Sequence, residues 1–208
     1  MNYYPAFLNL YGKKAVVVGG GNIAERKILK LLKAGATVTV VSPAITARLR
    51  KEKEKKTLTH IARSYQKGDL RRCMLVIAAT DDPFVNSQVA KDAPSLVNVV
   101  DVPRECSFIA PSVIKRGPLT IAISTGGISP AFSKTIRKEL EMIYGPEIGE
   151  YLKYVGSIRR KTLVEISDMK KRERFLKNLA SGKILKSLRT KGFRVIRNIV
   201  EKKLAKLI

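Results

Sequence analysis

The run Val18-Gly19-Gly20-Gly21-Asn22-Ile23-Ala24 constrains this chain most, because of what flanks it. Upstream, Lys14-Ala15-Val16-Val17-Val18 is β-branched without polar alternation, which suits a central parallel strand covered on both faces. Downstream, Ile28, Leu29, Leu31 and Leu32 recur among Arg26, Lys27, Lys30 and Lys33, and Ala34-Gly35 supplies a helix stop. Thr37-Val38-Thr39-Val40-Val41 follows as a second buried strand, halted by Ser42-Pro43, so the whole is a βαβ crossover. The turn reads G-x-G-x-x-A, with Gly19 and Gly21 at close-approach positions and Ala24 where the helix packs on the strand. Small residues let backbone approach a pyrophosphate, and the free N–H groups and dipole of a helix N-terminus favour its negative charge. The prediction is a dinucleotide seat at Gly19, Gly20, Gly21, Asn22, Ile23 and Ala24. The alternative is a tight turn without a ligand.

Alternation continues with a helix at 44–53, a strand at 58–62, a strong apolar strand at 74–79, a helix at 84–93 and a strand at 96–100. Five strands alternating with helices predict an α/β fold with a Rossmann-type open parallel sheet, whose ligands lie beyond the carboxyl ends of the strands. After Pro103 the pattern changes: 107–110 and 119–123 are strand-like, with Arg116-Gly117-Pro118 as a turn. Ser129 then caps a helix at 131–144 with Pro130 at its first position. From Glu147 onward Leu, Ile, Lys and Arg recur at helical spacing, broken at Ser181-Gly182 and Lys191-Gly192. The expected division is a nucleotide domain at 1–111, a small α+β dimerisation and substrate subdomain at 112–145, and a basic helical tail at 146–208.

Several polar residues fall where such a sheet presents ligands. Ser42-Pro43 stands where an acid would normally hold the ribose 2′-hydroxyl. Ser42 can hydrogen-bond the ribose instead, and the absence of an adjacent arginine favours NAD over NADP. Asp81 and Asp82 open a helix, which favours capping, although Thr80 and Asp81 can also line the cofactor crevice. Asp101, in Asn98-Val99-Val100-Asp101-Val102-Pro103, can act as a base or bond backbone N–H groups of a proline turn; the residues alone favour the second. Ser124-Thr125-Gly126-Gly127 before a helix start is a second candidate anion site, with a plain turn as the alternative.

The formal net charge is +24. From Tyr151 onward there are 18 Lys+Arg against 4 Asp+Glu, or +14, which leaves +10 for the first 150 residues. Such an excess suits nucleic acid, an acidic membrane surface or a polyanionic small molecule, and a merely solvated basic helix surface weighs equally. No aromatic-rich RNA-binding signature or zinc-finger spacing accompanies it, so no nucleic acid is expected. No run approaches the roughly 20 apolar residues of a membrane span, and Met1-Asn2-Tyr3-Tyr4-Pro5 lacks the basic, apolar and small-residue pattern of an export signal, so no membrane partner and a cytoplasmic location are expected. Cys73 and Cys106 lack paired spacing and read as reduced, buried thiols. His60 reads as solvated, so no His-built metal site is expected.

The blocks Tyr4-Pro5-Ala6-Phe7-Leu8-Asn9-Leu10, Val18 to Lys27, Ala78-Ala79-Thr80-Asp81-Asp82, Asn98 to Pro103, Ser107-Phe108-Ile109, Pro111-Ser112 and Ser124 to Pro130 resemble the precorrin-2 dehydrogenases. That family includes the N-terminal part of siroheme synthases and stand-alone dehydrogenase/ferrochelatases. The resemblance spans residues 4 to about 145 and implies NAD-dependent oxidation of precorrin-2 to sirohydrochlorin by a homodimer. It makes Asp101 the principal catalytic residue, reversing the reading from the residues alone. Precorrin-2 carries eight carboxylates, which gives the positive charge a purpose; Arg104, Lys115, Arg116 and the basic tail are the candidates to meet them. Some members also insert Fe²⁺ into sirohydrochlorin, and others leave this to a separate chelatase; the residues leave both open. The competing reading, from another class, is an NAD-sensing regulatory module with a basic nucleic-acid-binding tail.

Overall fold

The computed structural model describes residues 3–207, which fold as two compact units, Met1–Ala110 and Pro111–Ile208. The hairpin, the following helix and the basic helices, divided at 145/146 by the sequence reading, fall within the second unit.

The first unit is built on five parallel strands: β1 (Lys14–Val18), β2 (Thr37–Val41), β3 (Leu58–Ile61), β4 (Leu75–Ala78) and β5 (Leu96–Val99). Their order is β3-β2-β1-β4-β5. Successive residues of β1 enter opposite cores. Ala15 and Val17 pack with Ala24, Ile28, Val38, Val40 and Leu49, whereas Val16 and Val18 pack with Val76, Val89, Val97 and Val99. This is why the strand could not alternate with polar residues. The first core lies under α1 (Asn22–Lys33) and α2 (Ala47–Glu54), and the second under α3 (Pro83–Asp92).

Two sequence expectations need correction here. The second helix starts at residue 47, because Thr46 is its N-cap: its Oγ1 accepts from the Leu49 N–H at 3.2 Å and donates to Glu25 at 2.6 Å. Residues 107–110 form no strand. They cover the open edge of β5 instead, with Ser107 N–H donating to the Val97 carbonyl at 2.9 Å and Val97 N–H to Ser107 Oγ at 2.7 Å. An edge so occupied cannot pair with another strand.

The second unit holds an antiparallel hairpin, β6 (Ser112–Arg116) and β7 (Leu119–Ile123), followed by α4 (Pro130–Ile143), α5 (Pro146–Glu165), α6 (Met169–Leu179) and α7 (Gly182–Leu204). The basic helices pack around Ile148, Tyr151, Ile158, Phe175, Leu188, Ile196 and Val200. The hairpin turn meets α5 backbone to backbone: a Cβ on Gly149 would lie 2.8 Å from the Arg116 carbonyl carbon. Asp168 caps α6 by accepting from the Lys171 N–H at 3.0 Å, a break between α5 and α6 that helical spacing alone did not mark. Gly192 (φ 75°) kinks α7 at an expected break.

Candidate functional site

In the first unit the carboxyl ends of β1, β4 and β5 lie side by side at the point where strand order reverses, the position open α/β sheets use for ligands. Main-chain bonds continue the register past the strand ends: Ala79 N–H to the Val18 carbonyl at 2.8 Å, and Val100 N–H to the Ala78 carbonyl at 3.0 Å. The glycine turn, Thr80-Asp81 and Asp101 are thereby brought along one sheet edge.

The three glycines have different work. Gly19 (φ +117°) lies where a Cβ would stand 2.2 Å from the Ala79 carbonyl oxygen, and a Cβ on Gly20 would stand 2.0 Å from that of Ala44. Both are demanded by neighbouring protein backbone, so the close approach expected at Gly19 is made to the chain's own main chain at Ala79. At Gly21 a Cβ would meet nothing within 4 Å, so this glycine alone faces open space. Gly21 is also the N-cap of α1, and no side chain caps that helix. An uncapped N-terminus beside open space fits a pyrophosphate. Ala24 is buried against the sheet, while Asn22 and Ile23 are exposed.

The ribose end departs from expectation. Ser42 is 8% exposed, and its hydroxyl donates to the Ala44 carbonyl at 2.7 Å, so it can offer a ligand only lone pairs. Pro43 is exposed beside it. His60 is half-buried rather than solvated, with Nε2 donating to the Ser42 carbonyl at 2.8 Å. Across the crevice, Thr80 Oγ1 donates within its own turn, to Asn86 Oδ1 at 2.8 Å or the Asp82 carbonyl at 3.0 Å. Asp82 caps α3, accepting from the N–H groups of Phe84 and Val85, whereas Asp81 is exposed and free of such duty. Phe84, 78% exposed in the first turn of α3, is an apolar surface that sequence reasoning missed; its place directly after a capping Asp-Pro could have marked it.

Asp101 stands just beyond β5 with φ 61°, a left-handed conformation that aspartate tolerates better than most side chains. Among the described residues its carboxylate accepts no hydrogen bond, so it does not bind the backbone of the proline turn. It is exposed, and Arg104, in the one-turn 3-10 helix Pro103–Glu105, is exposed close behind it. Non-glycine residues with positive φ cluster at functional sites, although Lys56 and Arg72 share the feature here.

The other expected residues belong to the second unit. Gly126 (φ +64°) and Gly127 (φ +89°) shape the turn before α4. Ser124 Oγ accepts from the Gly126 N–H at 3.0 Å and keeps its own hydrogen, whereas Thr125 Oγ1 both accepts from the Ser129 N–H and donates to its carbonyl, each at 3.0 Å. Ser129 caps α4 through the Phe132 N–H at 3.2 Å, and Pro130 has no N–H to offer. That helix terminus is already served, which corrects its reading as an anion site. Arg116 also needs correction: Nε donates to the Tyr144 carbonyl at 2.8 Å and Nη2 to that of Glu141 at 3.3 Å, so it closes the end of α4.

With this geometry in hand, three similarities define the chain. Residues 6–112 match the family described as "Putative NAD(P)-binding", and residues 116–142 match the central region of a sirohaem biosynthesis protein. The chain belongs to that NAD(P)-binding family. The chain is 36% identical over 209 residues to the siroheme synthase of Mannheimia succiniciproducens, covering 99% of this chain and 44% of that one. It is 38% identical over 189 residues to the siroheme synthase of Nitrosospira multiformis, covering 88% of this chain and 40% of the relative. The chain thus spans less than half the length of these curated relatives. The solved structure of SirC, a precorrin-2 dehydrogenase, superposes with a TM-score of 0.83 at 28% identity, over 96% of this chain and 100% of the other. The resemblance read from the sequence blocks holds.

Proposed function

We propose that this chain oxidises precorrin-2 to sirohydrochlorin with NAD as the oxidant, in a cytoplasmic route to siroheme. The single observation that carries this reading is the sheet edge, where the open, uncapped glycine turn and the unpartnered Asp101 carboxylate lie along the same strand ends. Gly21 and the first N–H groups of α1 would hold the dinucleotide pyrophosphate, with Pro43, Ile23, Thr80 and Asp81 along the walls. A bound nicotinamide supplies hydride acceptance, the chemistry of the cofactor itself. The chain's own task is the accompanying proton: as a C–H hydride leaves the saturated macrocycle, Asp101 takes a proton from it, so two electrons and two hydrogens leave together. Asp101 is suited to this because no donor among the described residues occupies its oxygens.

Arg104, exposed in the 3-10 turn that follows Asp101, would meet a substrate carboxylate. NAD is favoured over NADP because Ser42 and Pro43 offer no cation to a 2′-phosphate. A homodimer would cover Val113, Ile128, Phe132 and Met142, apolar side chains exposed in the second unit. No described helix is long and apolar enough to cross a membrane. Iron enters this reading only as a second substrate, with Asp101 receiving pyrrole protons; anaerobic Fe²⁺ insertion into sirohydrochlorin without NAD tests that role separately, and its absence would point to a separate chelatase.

The deciding experiment incubates the protein with NAD and precorrin-2 and follows the absorbance of sirohydrochlorin and reduced nicotinamide. Asp101→Asn is expected to lower turnover at least about a hundredfold while NAD affinity stays unchanged. Full turnover in that variant would exclude Asp101 as the base. Salt-sensitive duplex binding without turnover would favour the regulatory reading instead.

A further inference from the structure

Lys27 lies on the buried stripe of α1, spaced with Ala24, Ile28 and Leu31, where an apolar residue would complete the core. Its Nζ instead reaches β5 and donates to Asn98 Oδ1 at 2.7 Å. Asn98 is 7% exposed, and its Nδ2 donates to the Phe108 carbonyl at 3.1 Å and lies 3.5 Å from Cys106 Sγ. Cys106 Sγ accepts from the Val99 N–H at 3.2 Å, and its thiol hydrogen can reach the carbonyls of Val99 and Val102 at 3.2 and 3.4 Å. The connected set Lys27, Asn98 and Cys106 therefore ends on Val99 and Val102, the two sides of the turn that carries Asp101.

Among the described residues, Asn98 Oδ1 is the only hydrogen-bond acceptor of the Lys27 ammonium, so two of its three hydrogens are unspent. Burial is the chief reason Lys27 is held below the ordinary lysine range, and Lys30 and Arg26 on the same helix push the same way. The opposing groups are Cys106 and Asp101, which favour its charged form. A methionine would fill the stripe without the cost of withdrawing a charge from water, so stability alone does not account for lysine here.

We infer that Lys27 is a positioning residue for the proposed reaction: anchored by Asn98, its ammonium stands beside the turn that carries Asp101 and, through Asn98 and Cys106, holds that turn so that the carboxylate is placed to accept the proton. This rests on the assignment of Asp101 as the base. The role needs a cation bonded to Asn98, so it should survive a change of side chain that preserves charge and fail with one that preserves only shape.

The test compares the full-length protein with Lys27→Met and Lys27→Arg. In Lys27→Met, kcat is expected to fall about tenfold while KM and NAD affinity stay within about twofold. Lys27→Arg, which keeps a cation that can bond Asn98, should keep kcat within about twofold of the wild type. An unchanged kcat in Lys27→Met would overturn the inference and leave Lys27 a packing residue. A second measurement needs neither turnover nor that variant: lysines carrying isotopically labelled methyl groups are titrated by NMR. The Lys27 midpoint is expected to fall in Asp101→Asn relative to wild type, and an unmoved midpoint would overturn the pairing. A shifted midpoint in a protein that never oxidises precorrin-2 would keep the pairing and refute the dehydrogenase reading.

Discussion

Two glycine-bearing turns precede helices in this chain, and they are built in opposite ways. At 19–21 two glycines are forced by backbone contacts with Ala79 and Ala44, the third faces open space, and the helix that follows has no side-chain cap. At 126–127 both glycines stand clear of neighbours and are there for their positive φ, and the helix that follows is closed by Ser129 and Pro130. The first turn is rigid where it touches protein and unfinished where a ligand would sit. The second is finished by its own residues. A glycine-rich loop before a helix is therefore an anion site only when the helix terminus is left unserved.

The largest expected effect breaks the first turn. Gly19→Ala or Gly20→Ala puts a methyl group into main-chain carbonyls, and each should cost about 3 kcal/mol or more, lowering Tm by about 6–12 °C in a thermal melt. A melt within a degree of wild type would show that the turn can yield, and that its glycines are not fixed by packing. The second turn should respond more gently. Gly126→Ala meets no atom and pays only for its left-handed backbone, and Ser129→Ala loses one cap, so each should cost about 1 kcal/mol without affecting NAD affinity. Weakened NAD binding in either variant would mean that the second turn shares in the cofactor site after all.

Much of the first unit was legible because its signals are local. Strand runs, the amphipathic α1 and the glycine turn are each visible within a few residues, and strand alternation yields the parallel sheet. What stayed hidden depends on partners far away in sequence. Nothing near Gly19 announces Ala79, and nothing near Ser42 announces His60 on the neighbouring strand. Arg116 looked like a free cation beside a turn, yet its guanidinium is drawn to the end of α4 by carbonyls some 25 to 28 residues on. Residues 107–110 had strand-like composition, but a serine hydroxyl bonded to Val97 satisfies the sheet edge more simply than a sixth strand. Lys27 was the avoidable omission. Counted as a polar residue on an amphipathic helix, it falls at the spacing of Ala24, Ile28 and Leu31, and a charge on a buried stripe signals a partner within.

The contrast between the two turns is tested most directly by NAD titration of the wild type, Gly21→Ala and Gly126→Ala, with binding followed calorimetrically. Gly21→Ala adds a methyl group to open space, so its melt should match the wild type, while its Kd for NAD should rise about tenfold or more as the methyl occupies the pyrophosphate's place. Gly126→Ala should bind NAD as the wild type does. Undiminished NAD affinity in Gly21→Ala, in a protein that melts normally, would contradict the placement of the dinucleotide on this turn.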